Sequence, residues 1–316
     1  MLLIVVSGCG FTPLPTLPPS PTPEPIPKPS ESAPASYVLP TERGEYVPPK
    51  LHVGRRPSGI GQVNIESIGI FEFNADQIET VRPDIFQPNY LSLFDVVLHI
   101  ADRGDISLEY HFDEKMNTHK IDSINGESGW WYYAHYSGGW RERNVFRMDM
   151  YPYKNNTTFH LYREDETRLK AVYNSFTEEL TRLELNNDSV VIPEVTIRSP
   201  EFSETFNDVV VTAHNVRKDV LQPGVITGLD ILLSLLEQDE LSKLKLTWYE
   251  RIAIAEPVDS YWTEQINEVE AYGTCGFVYE TGPLVFEGFM GSHIHIPSDI
   301  RVIVSPEYAL WFWICL

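Results

Sequence analysis

Beyond residue 50 the chain alternates short apolar runs with polar turns, and two of the runs read as short apolar helices. The first is Leu91-Ser92-Leu93-Phe94-Asp95-Val96-Val97-Leu98-His99-Ile100; the second is Ile226-Thr227-Gly228-Leu229-Asp230-Ile231-Leu232-Leu233-Ser234-Leu235-Leu236, with Phe94-Asp95 falling on Leu229-Asp230. Strand-like material precedes each helix, at residues 63–70 and 208–213. It also follows each, at residues 120–126 and 265–271, then in Gly129-Trp130-Trp131-Tyr132-Tyr133 and Gly276-Phe277-Val278-Tyr279. Two further runs close each copy, 145–151 with 158–162 and 300–304 with 309–314. Alternation and β-branched or aromatic enrichment predict strands in all of them. One helix laid on a small mixed sheet of four or five strands buries the helix's apolar face, so the pattern predicts an α+β, β-grasp-like unit used twice.

The helix with Phe94-Asp95-Val96-Val97-Leu98, the segment Ile121-Asp122-Ser123-Ile124-Asn125-Gly126 and the strand Gly129-Trp130-Trp131-Tyr132 together carry a likeness. They resemble the bacterial surface domain related to the C-terminal β-domain of transcobalamin and intrinsic factor. That domain has a Leu-Asp-Ala-Leu helix, a glycine-containing turn and a Gly-Trp-x-Tyr strand. Where the family has Asn-Gly after the strand, this chain has Ala134-His135-Tyr136-Ser137-Gly138-Gly139; the second copy diverges further, with Phe277 at the tryptophan and Thr281-Gly282 at the turn. The resemblance implies a β-grasp fold outside the cytoplasm, with capture of a small ligand, of corrinoid type by precedent.

The first fifty residues have a different character. Met1 to Cys9 is an apolar run closing on Val6-Ser7-Gly8-Cys9, which resembles the lipobox of bacterial lipoproteins, although the basic stretch that precedes such a run is missing. The resemblance implies lipidation at Cys9 and attachment to the bacterial cell membrane. Between Thr12 and Lys50 lie 13 of the chain's 24 prolines, with almost no aliphatic pattern. Such a stretch favours polyproline II at ~3.1 Å per residue and predicts a disordered spacer on the order of 100 Å when extended. The expected organisation is a signal-like segment at 1–9, a linker at 10–50, one domain at 51–165, a connector at 166–204 and a second domain at 205–316.

Charge narrows the partners. Acidic residues number 45 against 24 basic, for a net charge of −21, and almost none of that excess lies in the first fifty residues. A strongly acidic body argues against nucleic acid or an anionic surface as partner. Aromatic residues, 12% of the 316, are enough for a core.

Candidate chemistry is sparse. His-Glu-x-x-His, Cys-x-x-Cys, Gly-x-Ser-x-Gly and phosphate-loop patterns are missing from the chain, and no pattern names a cofactor. His293 and His295 would share one face of a strand and offer two imidazoles to one metal ion; a pair of surface histidines is the alternative. Trp130, Trp131, Tyr132, Tyr133, Tyr136 and Trp140 crowd eleven residues. Alternation puts Trp131 and Tyr133 on the face opposite Trp130 and Tyr132. The face away from the core, with Trp140, could form an exposed aromatic platform for a ligand; connecting segments that cover both faces are the alternative. Trp130, Trp131, Tyr133 and Trp140 are therefore the candidate ligand-binding residues. Cys275 and Cys315 lie on two strands of the second copy and are either disulfide-bonded or buried thiols. The expectation is a non-enzymatic, lipid-anchored binding or surface-interaction module, against a metal-dependent enzyme centred on His293 and His295 or a purely structural surface protein.

Overall fold

The computed structural model describes residues 36–38, 52–136, 144–252, 257–288 and 296–315. Within them the chain is α+β, with three helices and several small sheets. The first strand, β1 (Ser36–Val38), lies inside the 10–50 stretch expected to be a disordered linker, whose other residues lie outside the described ones.

The first half begins with a hairpin of β2 (Ile60–Ile65) and β3 (Gly69–Asn74), passes through helix α1 (Leu93–Asp102), and forms a second hairpin of β4 (Leu108–Asp113) and β5 (Thr118–Ile124). It closes with β6 (Trp130–Tyr136) and β7 (Thr157–Arg163). The sheet order is β3-β2-β7-β6, with β2 and β7 parallel and the outer pairs antiparallel.

Helix α2 (Glu166–Leu185) then links the halves. Its buried residues, Val172, Ser175, Phe176 and Glu179, follow i, i+3, i+4, i+7 and make one narrow stripe. Arg147 pairs with Glu179, and its guanidinium lies 4.3 Å from the Phe176 ring centroid.

The second half starts at β8 (Val190–Arg198) and not at residue 205, which corrects the expected connector. The expected start falls on the following strand, β9 (Ser203–Val211), whose hairpin partner is β8. Helix α3 (Gly228–Glu237), β10 (Leu244–Tyr249), β11 (Ser260–Ile266), the two-residue β12 (Val269–Glu270), β13 (Cys275–Gly282) and β14 (Tyr308–Cys315) follow. The order here is β9-β8-β14-β13, again with the central pair parallel and the outer pairs antiparallel. Strand β1 pairs with β10, so the proline-rich stretch is stitched to the half furthest from it in sequence.

The residues at 145–151 and 300–304, expected to be strands, are not. A deeply buried aspartate, Asp149 within the first run and Asp299 immediately before the second, enters a polar network, and a single bridge to each helix cap lies at or beside the run, Ser92 to Pro152 just after the first and Thr227 to Val302 within the second. Their apolar residues are buried because the segment is pressed between elements, which mimics a strand's composition without a ladder.

The aspartate shared by the two helix signatures has a local role. Asp95 is the third residue of α1; its carboxylate accepts from the Ser92 backbone at 2.6 Å and from Val81 N at 2.8 Å. Asp230 repeats this with Thr227 N at 2.6 Å and His214 N at 2.9 Å. These are capping boxes that also pin the preceding loop. Nearby, Arg82 binds Asp84 and Asp149, and Arg217 binds Asp219 and Asp299, each reaching its buried aspartate at 2.9 Å. The same separation of 135 residues that divides Gln87 from Gln222 divides Arg82 from Arg217 and Asp95 from Asp230.

The halves meet where Gln87 N donates to Val220 O and Gln222 N to Ile85 O, both at 2.9 Å. Ile296, Ile300, Val302 and Val304 of the second half enter the core of the first. The chain entering the first half is also clamped to the second. His52 stacks on Trp248 at 5.0 Å, Gly54 N donates to Asp219, and Arg55 makes a two-pronged bond to Asp259 at 2.8 and 3.0 Å. A Cβ at Gly54 would lie 2.8 Å from the Arg217 guanidinium, which Asp219 and Asp299 hold, so a larger residue there would have to displace it.

Candidate functional site

The aromatic strand β6 does not form a platform. Trp130, Trp131 and Tyr133 are 3%, 3% and 8% exposed, which corrects the expectation that the face away from the core is open. The indole nitrogens of Trp130 and Trp131 donate to Glu127 O at 2.5 Å and Asn144 O at 2.7 Å. Trp131 packs edge-on against Tyr173 of α2 at 5.7 Å and near Phe176, and Tyr133 lies flat on His160 at 4.8 Å. These rings are packing. Trp140, His293, His295 and Cys9 lie outside the described residues. Among the described residues no group of three or more His, Cys, Asp or Glu side chains is placed to hold a metal ion, and no helix is long and apolar enough to cross a membrane.

The matching face of the second sheet is built differently. Register aligns the two sheets: Tyr132 stands opposite Leu161 in the first, and Tyr279 opposite Trp311 in the second. The hydroxyls of Tyr132 and Tyr279 both donate to a loop carbonyl, of Phe146 and of Ile296. Val278 therefore takes the place of Trp131, and Glu280 that of Tyr133. Two large rings become an isopropyl group and a carboxylate. At this position the second half has a cleft of ≈ 720 Å³. Its floor includes Leu310 and Phe312 of β14, which share a face by alternation, with Arg198 of β8 in register with Phe312. Glu280 lines it from β13, and Glu287 and Gly288 bound one end.

Glu280 is the unusual member. It is 1% exposed, and its Oε1 accepts from Gly288 N at 3.1 Å and from the Tyr308 hydroxyl at 3.2 Å. Burial, and then the Glu280 charge, push the Tyr308 hydroxyl well above the usual tyrosine range, so it stays a donor. Arg198 and Glu287 are exposed, and Phe312 is half-buried. A cleft of this size, with an apolar floor and a few fixed polar groups, suits a small molecule.

Lys154 donates to Val258 O and to Ser260 Oγ across the junction of the halves, and its amine is lowered to about 7 by burial and by the nearby Arg217. Its hydrogen bonds to the opposite half make it a structural tie.

Cys275 and Cys315 face one another in register on β13 and β14 and are bonded, at the far end of the strand pair that carries Glu280 and Phe312. Sequence reasoning missed the cleft, although the signal was present in the aligned strands: Glu280 follows Tyr279 where Tyr133 follows Tyr132. Compared with protein-family models, curated proteins and solved structures, the chain matches none of them.

Proposed function

We propose that this chain is a non-enzymatic binding module, lipid-anchored through Cys9 on the outer side of a bacterial membrane, that captures a small molecule in the cleft of its second half. In this reading each half is a β-grasp-like domain, and the residues before β1 are the spacer. The observation that carries the proposal is the ≈ 720 Å³ cleft over Leu310 and Phe312, at the position where the first half is filled by Trp131 and Tyr133. The repeated strand order, with a parallel central pair flanked by antiparallel neighbours, supports the β-grasp assignment.

Three measurements test the parts separately. Nuclear magnetic resonance of the full chain with a set of small aromatic fragments at millimolar concentration should shift the signals of Leu310 and Phe312. No shift with any fragment would remove the binding site. Equilibrium dialysis against cyanocobalamin tests the corrinoid precedent. For the anchor, wild type should partition into the detergent phase of a cloud-point separation and Cys9→Ser into the aqueous phase; equal partitioning would remove the lipid.

A further inference from the structure

We propose that the outer edge of β4 pairs with β4 of a second copy of this chain, joining two molecules in an antiparallel, two-fold strand contact centred on Tyr110. The contact uses none of the residues that line the cleft.

The two halves treat this edge differently. The β4–β5 hairpin corresponds to β10–β11 in the second half, because the register slips at the same step in each, between Glu109 and Tyr110 and between Lys245 and Leu246. Tyr110 and Phe112 thus take the places of Leu246 and Trp248. In the second half β1 closes the edge, with Tyr37 opposite Leu246, and His52 stacks on Trp248. Leu246 and Trp248 are 0% and 5% exposed. Among the described residues β4 has one strand neighbour, β5, and Tyr110 and Phe112 are 41% and 43% exposed. An open strand edge presents N–H and C=O groups that an extended chain can complete. Such a chain closes the counterpart edge on β10, and a second β4 is extended in the same way.

The strand is complementary to itself. Side chains directly opposite one another in an antiparallel pair share a face. Centred on Tyr110, the pairing sets Leu108 opposite the partner's Phe112 and Glu109 opposite the partner's His111, so one face is apolar and the other sets acid against base. Centring on His111 would oppose Glu109 to the partner's Asp113, two acids. Centring between Tyr110 and His111 would set Glu109 against the partner's Phe112 and mix the faces. The rings are already held: Tyr110 lies edge-on to Phe94 at 5.4 Å and Phe112 edge-on to His119 at 5.0 Å, so pairing costs them little freedom. A two-fold contact covers both edges at once and stops at two copies. A net charge of −21 on each copy opposes the encounter. At physiological salt, however, exposed charges more than about 8 Å apart are largely screened, whereas residues paired across strands lie ~5 Å apart.

Sedimentation equilibrium of the full chain at about 0.15 M salt, with Cys9→Ser to remove the thiol, tests the contact. A pairing this short belongs with the small interfaces, so a dissociation constant on the order of 0.1 mM is expected. The amide signals of residues 108–112 should move over the same concentration range. Glu109→Lys and His111→Glu should each weaken self-association at least about threefold. Mixing those two variants should restore it, because the new lysine then faces the new glutamate. A parent chain that stays monomeric to about 1 mM overturns the proposal; if a peptide of residues 33–39 then moves the same signals, the edge takes a foreign strand and not a second copy. Self-association that both variants leave unchanged, or that mixing fails to restore, places the contact elsewhere and also overturns it. Should either variant fold poorly by circular dichroism, the parent chain decides: concentration-dependent signals that lie outside residues 108–112 refute the β4 edge.

Discussion

Gln87 and Gln222 serve each other's backbone: Gln87 Nε2 donates to Leu221 O at 3.1 Å, and Gln222 Nε2 donates to Phe86 O at 3.0 Å. Gln87 Nε2 also reaches Gln222 Oε1 at 3.3 Å, and Phe86 bridges Leu221 in antiparallel fashion. Each residue contacts the other's counterpart, which is the reciprocity of a two-fold, isologous interface, here formed inside one chain. Gln87→Ala and Gln222→Ala should each lower stability by about 1 kcal/mol in urea denaturation. Because the two share a bond, the double variant should lose less than the sum. Strict additivity would show that the two sides are independent.

The duplicated arginine–aspartate network makes a stronger demand. Asp149 and Asp299 are each 0% exposed and paired with a buried arginine. Removing one partner leaves a buried charge, so Arg82→Met or Arg217→Met should cost roughly 3–5 kcal/mol. Acid should report on the same pair. Burial alone would raise the Asp149 carboxyl, but the His119 hydrogen bond, the Arg82 charge and the Thr118 hydroxyl outweigh it and hold the group below the usual carboxylate range. A depressed folded-state value means that this contribution is complete above the unfolded value near pH 4 and disappears as pH falls through the folded one. Urea midpoints measured from pH 5 to 2.5 should therefore fall less steeply for Asp149→Asn than for wild type.

Those aspartates also show how far the sequence could be read. The helices and most strands were legible because burial on one side imposes a period, as in α1 and in β7, where buried and exposed positions alternate. The capping aspartates were visible as aligned letters, Asp95 with Asp230, though not as caps. Strand β4 was not legible: its positions are almost all exposed or half-buried, so no alternation marks it. Residues 145–151 misled in the opposite way, since their burial comes from both halves at once and not from a sheet face. Trp131 was misplaced because alternation says which face a side chain takes, and nothing local says that α2 brings Tyr173 and Phe176 over it. The cleft depends on the comparison of two strands far apart in the chain, where Val278 and Glu280 replace rings.

His214 gives a pH dependence of the other sign. Burial would lower its imidazole, but the hydrogen bond and charge of Asp230, with Glu237 on the other nitrogen at 3.1 Å, raise it above the ordinary value. The stability this supplies is fully present below the unfolded value near 6.5 and is lost as pH rises through the folded one. Lys154 works oppositely: an amine lowered to about 7 makes the folded state gain stability from there towards the ordinary lysine value. The histidine is isolated by difference. Between pH 6 and 8.5 the gap in urea midpoint between wild type and His214→Gln should narrow, and a constant gap would show that the ring does not titrate there.

The disulfide joins stability to the proposed site. Cys275 and Cys315 are 40 residues apart in sequence and close the β13–β14 pair at the end opposite Gly282 and Tyr308. In the chain-entropy account a loop of that length is worth about 4 kcal/mol, largely through the unfolded state. Cys275→Ser, Cys315→Ser and the double variant should lose similar amounts, because removing either sulfur removes the whole cross-link. The same strands hold Glu280, Leu310 and Phe312, so a looser pair also loosens the cleft. Affinity for the aromatic fragments that shift Leu310 and Phe312 should therefore fall in the reduced protein under conditions where far-ultraviolet circular dichroism still reports a folded chain. If affinity is unchanged while the urea midpoint drops, the bond stabilises the fold without shaping the cleft.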